Sequence, residues 1–281
     1  MDLAINQMIE LRSPTHLSLD QLASDLTRCF EGYIIPTVYT PSLLSTLLRL
    51  DSIDLVNSIV AEDEGTVVGV LIICRRGSAV RIGAMAVAEP YRRRGIGRAL
   101  MEKALGDATR RQDHLIVLEA IEQNVNAIAF YEAFGFQTTS RLLGFELALP
   151  PSNESSVLQE IDFNQMAQLV SRMPEEAVVW ETSPASMLQL TTPSSAFLLD
   201  GLGVVVTPVR EDVLVCRSVA LSGDNDKSKL SSLLDMLAVL YPGRSFQVPI
   251  IFPESHFEDL FVALGFKQNP IDQVKMELSL P

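Results

Sequence analysis

Cysteine, histidine and tryptophan are scarce in this chain of 281 residues, which has three cysteines, three histidines and one tryptophan. Cys29, Cys74 and Cys216 are too widely spaced for a disulfide framework, which favours a reducing, cytoplasmic location. The histidines lie far apart without the spacing of a ligand set, and we therefore expect no metal site.

Positive charge and long apolar runs are also lacking. The formal net charge is -13 and the pI is about 4.7, which argues against binding to nucleic acid because phosphate neutralisation needs a basic face. The acidity could steer a cationic substrate or serve solubility alone. No apolar run approaches the ~20 residues of a membrane span, and the N-terminus does not resemble a signal peptide.

The length predicts two domains. "PPSNESS" (150–156) combines prolines with polar residues, as linkers do; we therefore predict domains at 1–149 and 157–281. "FYEAFGF" (130–136) and "LFVALGF" (260–266) each end a predicted helix at a glycine and precede a strand. We interpret the similarity as a weak internal duplication, with chance recurrence as the alternative.

Hydrophobic periodicity predicts strands and helices in mixed order in both halves. In the first half, three strands joined by short turns precede a helix over 98–111, a buried strand over 115–120 and a helix over 124–134. Strands over 195–209 and 212–221 and a helix over 226–241 follow the linker. We expect an α/β fold in which a mixed, mostly antiparallel sheet carries helices on both faces.

The densest cationic cluster of this acidic chain, "EPYRRRGIGRAL" (89–100), adjoins glycines where a strand passes into a helix. A helix N-terminus offers free N–H groups and partial positive charge, and glycines let an anion approach closely. Leu100 stands where a dinucleotide fingerprint needs its last glycine, and no Walker sequence is present. The remaining pattern is Arg92-x-x-Gly95-x-Gly97, which predicts a diphosphate site; a solvated basic turn is the alternative.

This pattern resembles the acyl-CoA pyrophosphate loop of the GNAT acetyltransferase superfamily. The resemblance extends to "MAV" (85–87), to Asn124 seven residues before Tyr131, and to the Gly-Phe pair at 135–136. It covers roughly residues 9–149 and implies a cleft between two splayed parallel strands. It also implies an acetyl-CoA-dependent N-acetyltransferase that transfers the acyl group directly to an amine, with no metal.

The resemblance assigns residues to roles. Backbone amides of Met85 and Val87 would pair with pantetheine, Tyr131 would protonate the leaving thiolate, and Glu119 would be the base. The residues expected to bind the cofactor are Met85, Ala86, Val87, Arg92, Arg93, Arg94, Gly95, Ile96, Gly97, Arg98, Asn124 and Tyr131.

Alternatives remain at several positions. Tyr131 could be a packed aromatic residue, Glu119 a structural or substrate-contacting carboxylate, and Glu122 a weaker candidate base. The segment 30–41 could wall the acceptor pocket or only pack on the sheet. The acceptor could be a small molecule or a peptide, and the sequence does not indicate an oligomeric state.

The second half resembles a GNAT domain that has lost its cofactor loop. "SGDNDKSKL" (222–230) has one glycine and two aspartates, which would repel a diphosphate, and no tyrosine matches Tyr131. This half could be structural or could help to wall the acceptor site. For the whole chain, the alternative functions are a non-catalytic acyl-CoA sensor or scaffold and transfer of a longer acyl group.

Overall fold

The computed structural model of the protein describes residues 9–149, 158–223 and 225–280, and the predicted linker at 150–156 lies outside these ranges. The chain divides into two compact units. Unit 1 comprises Met1–Glu119, Tyr131–Gln137 and Met276–Pro281; unit 2 comprises Ala120–Phe130 and Thr138–Lys275. This division differs from the predicted boundaries, 1–149 and 157–281, because each unit takes segments from both halves of the chain.

Eight helices and thirteen strands lie in the described part of the chain. The helices are α1 (Leu19–Cys29), α2 (Pro41–Leu50), α3 (Ile96–Arg110), α4 (Val125–Glu132), α5 (Phe163–Val170), α6 (Pro184–Met187), α7 (Asp226–Leu240) and α8 (Glu254–Ala263). The strands are β1 (Ile9–Arg12), β2 (Ile59–Asp63), β3 (Thr66–Arg76), β4 (Ala79–Val87), β5 (Leu115–Ile121), β6 (Gln137–Ala148), β7 (Gln159–Ile161), β8 (Ser195–Leu199), β9 (Leu202–Arg210), β10 (Val213–Ala220), β11 (Ser245–Pro253), β12 (Lys267–Gln268) and β13 (Gln273–Ser279).

Unit 1 is built on the strand order β1-β2-β3-β4-β5. Its pairs are antiparallel except β4 with β5, which is parallel. Helices cover both faces of this sheet. Successive side chains of a strand point to opposite faces, so neighbouring residues of β3 contact different helices. Val70 packs with α1 and α2 in one buried cluster. On the other face, Ile96 and Leu100 of α3 approach to 3.0 and 3.2 Å of the position that a Cβ would take at Gly69.

Local sequence explains where these helices begin. Ser18 caps α1 in a capping box with Gln21, and Thr40 caps α2, whose first residue is Pro41. Both arrangements satisfy N–H groups that a helix start leaves without partners. Both helix starts are therefore set by the local sequence.

Unit 2 contains the strand order β6-β11-β10-β9-β8-β7, with β10 and β11 parallel. Val205 of β9 packs in a cluster with α5, whereas its neighbours Val204 and Val206 pack with α7 and α8. Phe261 of α8 lies in an aromatic cluster, with its ring centroid 5.0 Å from that of Phe266. Helices on both faces of a mixed sheet confirm the predicted fold class.

The two units share a pattern that the sequence predicts only faintly. In each, an antiparallel hairpin leads into a short parallel pair, β4 with β5 or β10 with β11, and the connection is a helix of 15 residues. Each of these helices starts after a residue in the left-handed conformation, Gly95 at φ 84° and Asn225 at φ 63°, without a side-chain cap. This common architecture is what an internal duplication would leave.

We predict that Gly144→Ala destabilises unit 2. A Cβ at Gly144 would lie 3.0 Å from the carbonyl oxygen of Val248 and 2.6 Å from the side-chain nitrogen of Asn269, so β6 would have to shift. We expect a loss of about 1–3 kcal/mol in the free energy of unfolding in urea. Gly106→Ala in α3 is the control, because a Cβ there meets nothing closer than 3.7 Å. Equal stability of the two variants would contradict the tight packing of β6.

Candidate active site

The parallel pairing of β4 with β5 is short. It covers four residue pairs and ends at Ile82, while β4 continues to Val87. The N–H of Ala88 donates to the carbonyl of Val68 in β3 at 2.9 Å. Because hydrogen-bonding groups alternate between the two edges of an antiparallel strand, the amides of Met85 and Val87 point away from β3. The described register gives these two amides no strand partner, so they are available to an extended ligand.

A glycine lies where β4 leaves β5. Gly83 sits between two successive pairings with β3, at Ile82 and Ala84, and has no partner of its own in that register. A Cβ at Gly83 would lie only 2.9 Å from Sγ of Cys74. An extra residue of this kind bends its strand, which accounts for the opening between β4 and β5 at this point.

The loop after β4 presents the start of α3 without obstruction. Gly95 precedes α3 with a φ of 84°, which suits glycine, and no side chain caps the helix. A Cβ at Gly95 would meet nothing within 4 Å. Arg93 also has a positive φ, 64°, while Gly97 lies in the first turn of α3. The uncapped N–H groups and the helix dipole favour an anion at this open turn.

The four arginines of this loop have different surroundings. Arg92 donates from Nε to the carbonyl of Val87 at 2.9 Å and from a terminal nitrogen to the carbonyl of Glu31 at 2.6 Å. The guanidinium of Arg94 lies 5.3 Å from the ring centroid of Tyr91, and that of Arg98 lies 5.4 Å from the ring centroid of Phe134. Within the described ranges, exposed Arg93 has no hydrogen bond or ion pair.

Tyr131 lies on α4 with its hydroxyl directed to β4. The hydroxyl oxygen is 4.0 Å from Sδ of Met85, and the ring meets that of Phe136 edge-on at 5.9 Å between centroids. Burial, with a smaller contribution from nearby Tyr33, raises the pKa of Tyr131 well above its usual value of 10. The hydroxyl therefore keeps its proton through the neutral range and can donate it beside the free edge of β4.

Glu119 is held by an arginine. Nε of Arg81 on β4 donates to its carboxylate at 2.8 Å, and both side chains are at most one-tenth exposed. Asp51 lies 3.6 Å from a terminal nitrogen of the same arginine. Because buried charges are stable only when they are paired, this contact gives the carboxylate a structural task. It favours the structural alternative for Glu119.

Glu122 also binds an arginine. Arg141 of β6 donates to Glu122 at 3.0 Å, to Glu254 at 2.6 Å and to Asp272 at 2.7 Å. The three carboxylates raise the pKa of Arg141, with Glu254 contributing most. Glu122 is thus one of three acceptors around a permanent cation in unit 2.

Asn124 caps a helix. Its side-chain oxygen accepts from the N–H of Ala127 at 3.2 Å, and its carbonyl accepts from Ala127 and Ile128 at the start of α4. The sequence predicted a contact of Asn124 with the CoA arm and did not indicate this capping role. The predicted contact with the CoA arm stays a prediction.

The predicted acceptor wall lies between α1 and α2. The ring centroid of Phe30 is 5.3 Å from that of Tyr33 and 5.8 Å from that of Tyr39. Burial raises the pKa of Tyr39. Tyr39 also lines a cavity of about 30 Å³, together with Asp51 and Gly83, which is space for a water or two.

The sequence analysis did not predict that Arg81 and Asp51 form ion pairs near the site. A signal was present, because "AVRIGAMAV" and "LIVLEA" each hold one charge in an otherwise apolar strand. Buried charges are paired, so opposite charges in two predicted buried strands indicate a contact. The contact of Asp51 with Arg81 could not be predicted in this way. Asp51 directly follows α2, far from Arg81 in the sequence, and only the tertiary structure brings the two together.

The corresponding loop of unit 2 is filled by its own side chain. The carboxylate of Asp226 accepts from the N–H of Ser222 and the N–H of Gly223, each at 3.0 Å, and from the Ser222 hydroxyl at 2.5 Å. Lys229 donates to the same hydroxyl at 2.6 Å. Asp224, the other aspartate of this loop, lies outside the described residues.

The described residues contain neither a metal-chelating group nor a membrane-spanning helix. No group of three or more His, Cys, Asp or Glu residues that could hold a metal ion occurs in the ranges that the structure describes. Over the same ranges, every helix is too short or too polar to cross a membrane.

Part of the chain matches a known protein family. Residues 19–136 match the acetyltransferase (GNAT) family, a range that includes β4, the arginine–glycine loop, α3, β5 and Tyr131. No curated protein matches the chain significantly. The match extends over the region in which the sequence motifs were found, and the chain therefore contains a GNAT-family domain, as predicted.

Solved structures match almost the whole chain. A proposed acetyltransferase from Pyrococcus horikoshii has a TM-score of 0.68 at 18% identity, covering 98% of this chain and 90% of its own. A tandem GNAT protein from the clavulanic acid biosynthesis pathway, solved without AcCoA, has a TM-score of 0.65 at 17% identity, covering 96% and 98%. A GCN5-related N-acetyltransferase from Sphaerobacter thermophilus has a TM-score of 0.65 at 12% identity, covering 96% and 95%. The fold is that of a tandem GNAT protein.

We predict strong coupling between Arg81 and Glu119. In a double-mutant cycle with Arg81→Met, Glu119→Gln and the double variant, we expect a coupling energy of about 1–3 kcal/mol in urea unfolding, because each single change weakens the pairing of a buried charge. The control cycle uses Arg98→Met and Glu102→Gln, an exposed pair 3.6 Å apart, for which we expect no measurable coupling. Equally weak coupling in both cycles would contradict a structural role for the Arg81–Glu119 pair.

Proposed function

We propose that unit 1 is an acetyl-CoA-dependent N-acetyltransferase that transfers the acyl group directly to an amine. The observation that carries the proposal is the open, uncapped start of α3 at Gly95 next to the free amides of Met85 and Val87. Together they form an anion site that continues into a strand edge, which suits a diphosphate joined to an amide-containing arm.

The residues fit acetyl-CoA, which would supply the acyl thioester. The N–H groups over 93–98 would hold the diphosphate, and Arg93 is free to add a charge-assisted bond. The amides of Met85 and Val87 would bind the pantetheine amides as another strand would. Arg92 is the exception among the residues assigned to the cofactor, because its guanidinium donates to two protein carbonyls.

Tyr131 would be the general acid. Its hydroxyl lies beside Met85 on the free edge of β4, and its raised pKa keeps the proton available at neutral pH. A positioned acid that donates to the departing sulfur typically contributes 10²–10⁴-fold to the rate.

The base would be water and not Glu119. Glu119 and Glu122 each accept a bond from an arginine, Arg81 and Arg141 respectively. We therefore assign to Glu119 the role of holding Arg81. The amine would lose its proton to solvent that reaches the partly exposed end of β4.

The cytoplasm would be the site of action. Cys29, Cys74 and Cys216 are all buried free thiols. Buried thiols persist most readily in a reducing compartment, which supports this location.

We expect Gly97→Glu to abolish acetyl-CoA binding in isothermal titration calorimetry. The change puts a side chain and a negative charge into the first turn of α3, where the diphosphate would lie. Gly106→Glu is the matched control on the same helix, more than two turns away, and should bind as the wild type does. Unchanged binding by the Gly97 variant would refute the loop assignment.

We expect Tyr131→Phe to lower turnover by at least about 100-fold while the Kd for acetyl-CoA changes less than about twofold. Turnover is measured as release of the CoA thiol with a panel of primary amines. Tyr91→Phe is the control, because the Tyr91 hydroxyl donates to Asp63 at 2.8 Å and has no place in the chemistry. Binding without any turnover in the wild type would instead support a non-catalytic acyl-CoA sensor.

A further inference from the structure

Arg92 joins two segments that the rest of the arginine–glycine loop does not connect. Its Nε donates to the carbonyl of Val87, the last residue of β4, at 2.9 Å. A terminal nitrogen donates to the carbonyl of Glu31, beyond the end of α1, at 2.6 Å. The planar guanidinium can serve both carbonyls at once because its donors are fixed in a fork.

Glu31 lies in the segment 30–41, next to the aromatic cluster of Phe30, Tyr33 and Tyr39. The N–H of Glu31 donates to the carbonyl of Arg28, and the N–H of Tyr33 donates to the carbonyl of Phe30. At the other end of the segment, the N–H of Tyr39 donates to Oγ1 of Thr27 at 2.9 Å. The ends of the segment are therefore tied to α1, and the Arg92 bond ties its beginning to the cofactor loop.

The neighbouring arginines differ from Arg92 in this respect. Arg94 lies over Tyr91, and Arg98 lies over Phe134 and 3.6 Å from Glu102. Arg93 is exposed and has no described partner. Arg93 is therefore free for a ligand, whereas two nitrogens of Arg92 already donate to carbonyls of the fold.

We propose that Arg92 is a positioning residue that couples the cofactor loop to the acceptor wall, the segment 30–41. Ordering of the loop by acetyl-CoA holds Arg92, and Arg92 then holds Glu31 and the rings that receive the amine. This inference rests on the proposed function, since it takes acetyl-CoA as the ligand of the loop.

The test is peptide-level hydrogen–deuterium exchange of residues 30–41, with and without saturating acetyl-CoA, in wild type and Arg92→Gln. Calorimetry gives the Kd of each. We expect acetyl-CoA to slow exchange in the wild-type segment at least threefold. Arg92→Gln should keep the Kd within about threefold and lose the slowing. Arg92→Lys should recover only part of it, because an ammonium group is a point donor without the fork.

Arg93→Gln is the matched control, with the same charge lost one residue away. It should weaken acetyl-CoA binding about tenfold or more yet keep the slowing at saturation. If Arg92→Gln loses affinity as Arg93→Gln does, Arg92 is a cofactor ligand and the proposal is wrong. Slowing that persists in Arg92→Gln also overturns it. Absence of acetyl-CoA binding in the wild type overturns the proposed function itself, whereas binding without slowing overturns the coupling alone.

Discussion

The early end of the parallel pairing between β4 and β5 is the constraint on which the site depends. A strand in the middle of a sheet normally has both edges satisfied, and backbone groups left without partners are costly when buried. Here the bulge at Gly83 turns β4 away after four residue pairs, which leaves the amides of Met85 and Val87 at a partly exposed edge. The arginine–glycine loop and Tyr131 are both arranged around that edge.

Unit 2 has the same architecture as unit 1, but a side chain occupies the loop before its helix. Its parallel pair is shorter still, with three residue pairs, and α7 starts after a left-handed residue as α3 does. The difference lies in Asp226, whose carboxylate binds the N–H groups of Ser222 and Gly223. In unit 1 the equivalent turn is open at Gly95. A carboxylate of the chain thus occupies the loop before α7, whereas no side chain caps the start of α3.

Much of the fold was predictable because its signals are local. Ser18, Thr40 and the glycines at helix ends mark boundaries that the structure contains, and the arginine–glycine loop lies between a strand and a helix as expected. One local signal was missed: Asp200 and Gly201, both with positive φ, form a turn that divides the predicted strand over 195–209 into β8 and β9. The region over 195–209 is therefore extended, as predicted, but it forms two strands where one was expected.

The candidate site was predictable in its motifs and not in its pairings. The positions of Gly95 and Tyr131 follow from the spacing of the pattern. The partners of Glu119, Glu122 and Arg92 do not, because Arg81, Arg141 and Glu31 are brought to them by strand register and helix packing. Such long-range contacts decide whether a charged side chain is available for chemistry.

The division into units affects how the chain can fold during synthesis, because unit 1 contains both the first and the last segments of the chain. Met276–Pro281 belongs with unit 1, and the N–H of Leu280 donates to the carbonyl of His114 at 2.9 Å. Unit 1 can therefore be completed only after every residue of unit 2 has left the ribosome. A nascent GNAT-family domain remains unfinished during that interval, and a truncation that removes the last six residues would damage the half of the protein encoded first.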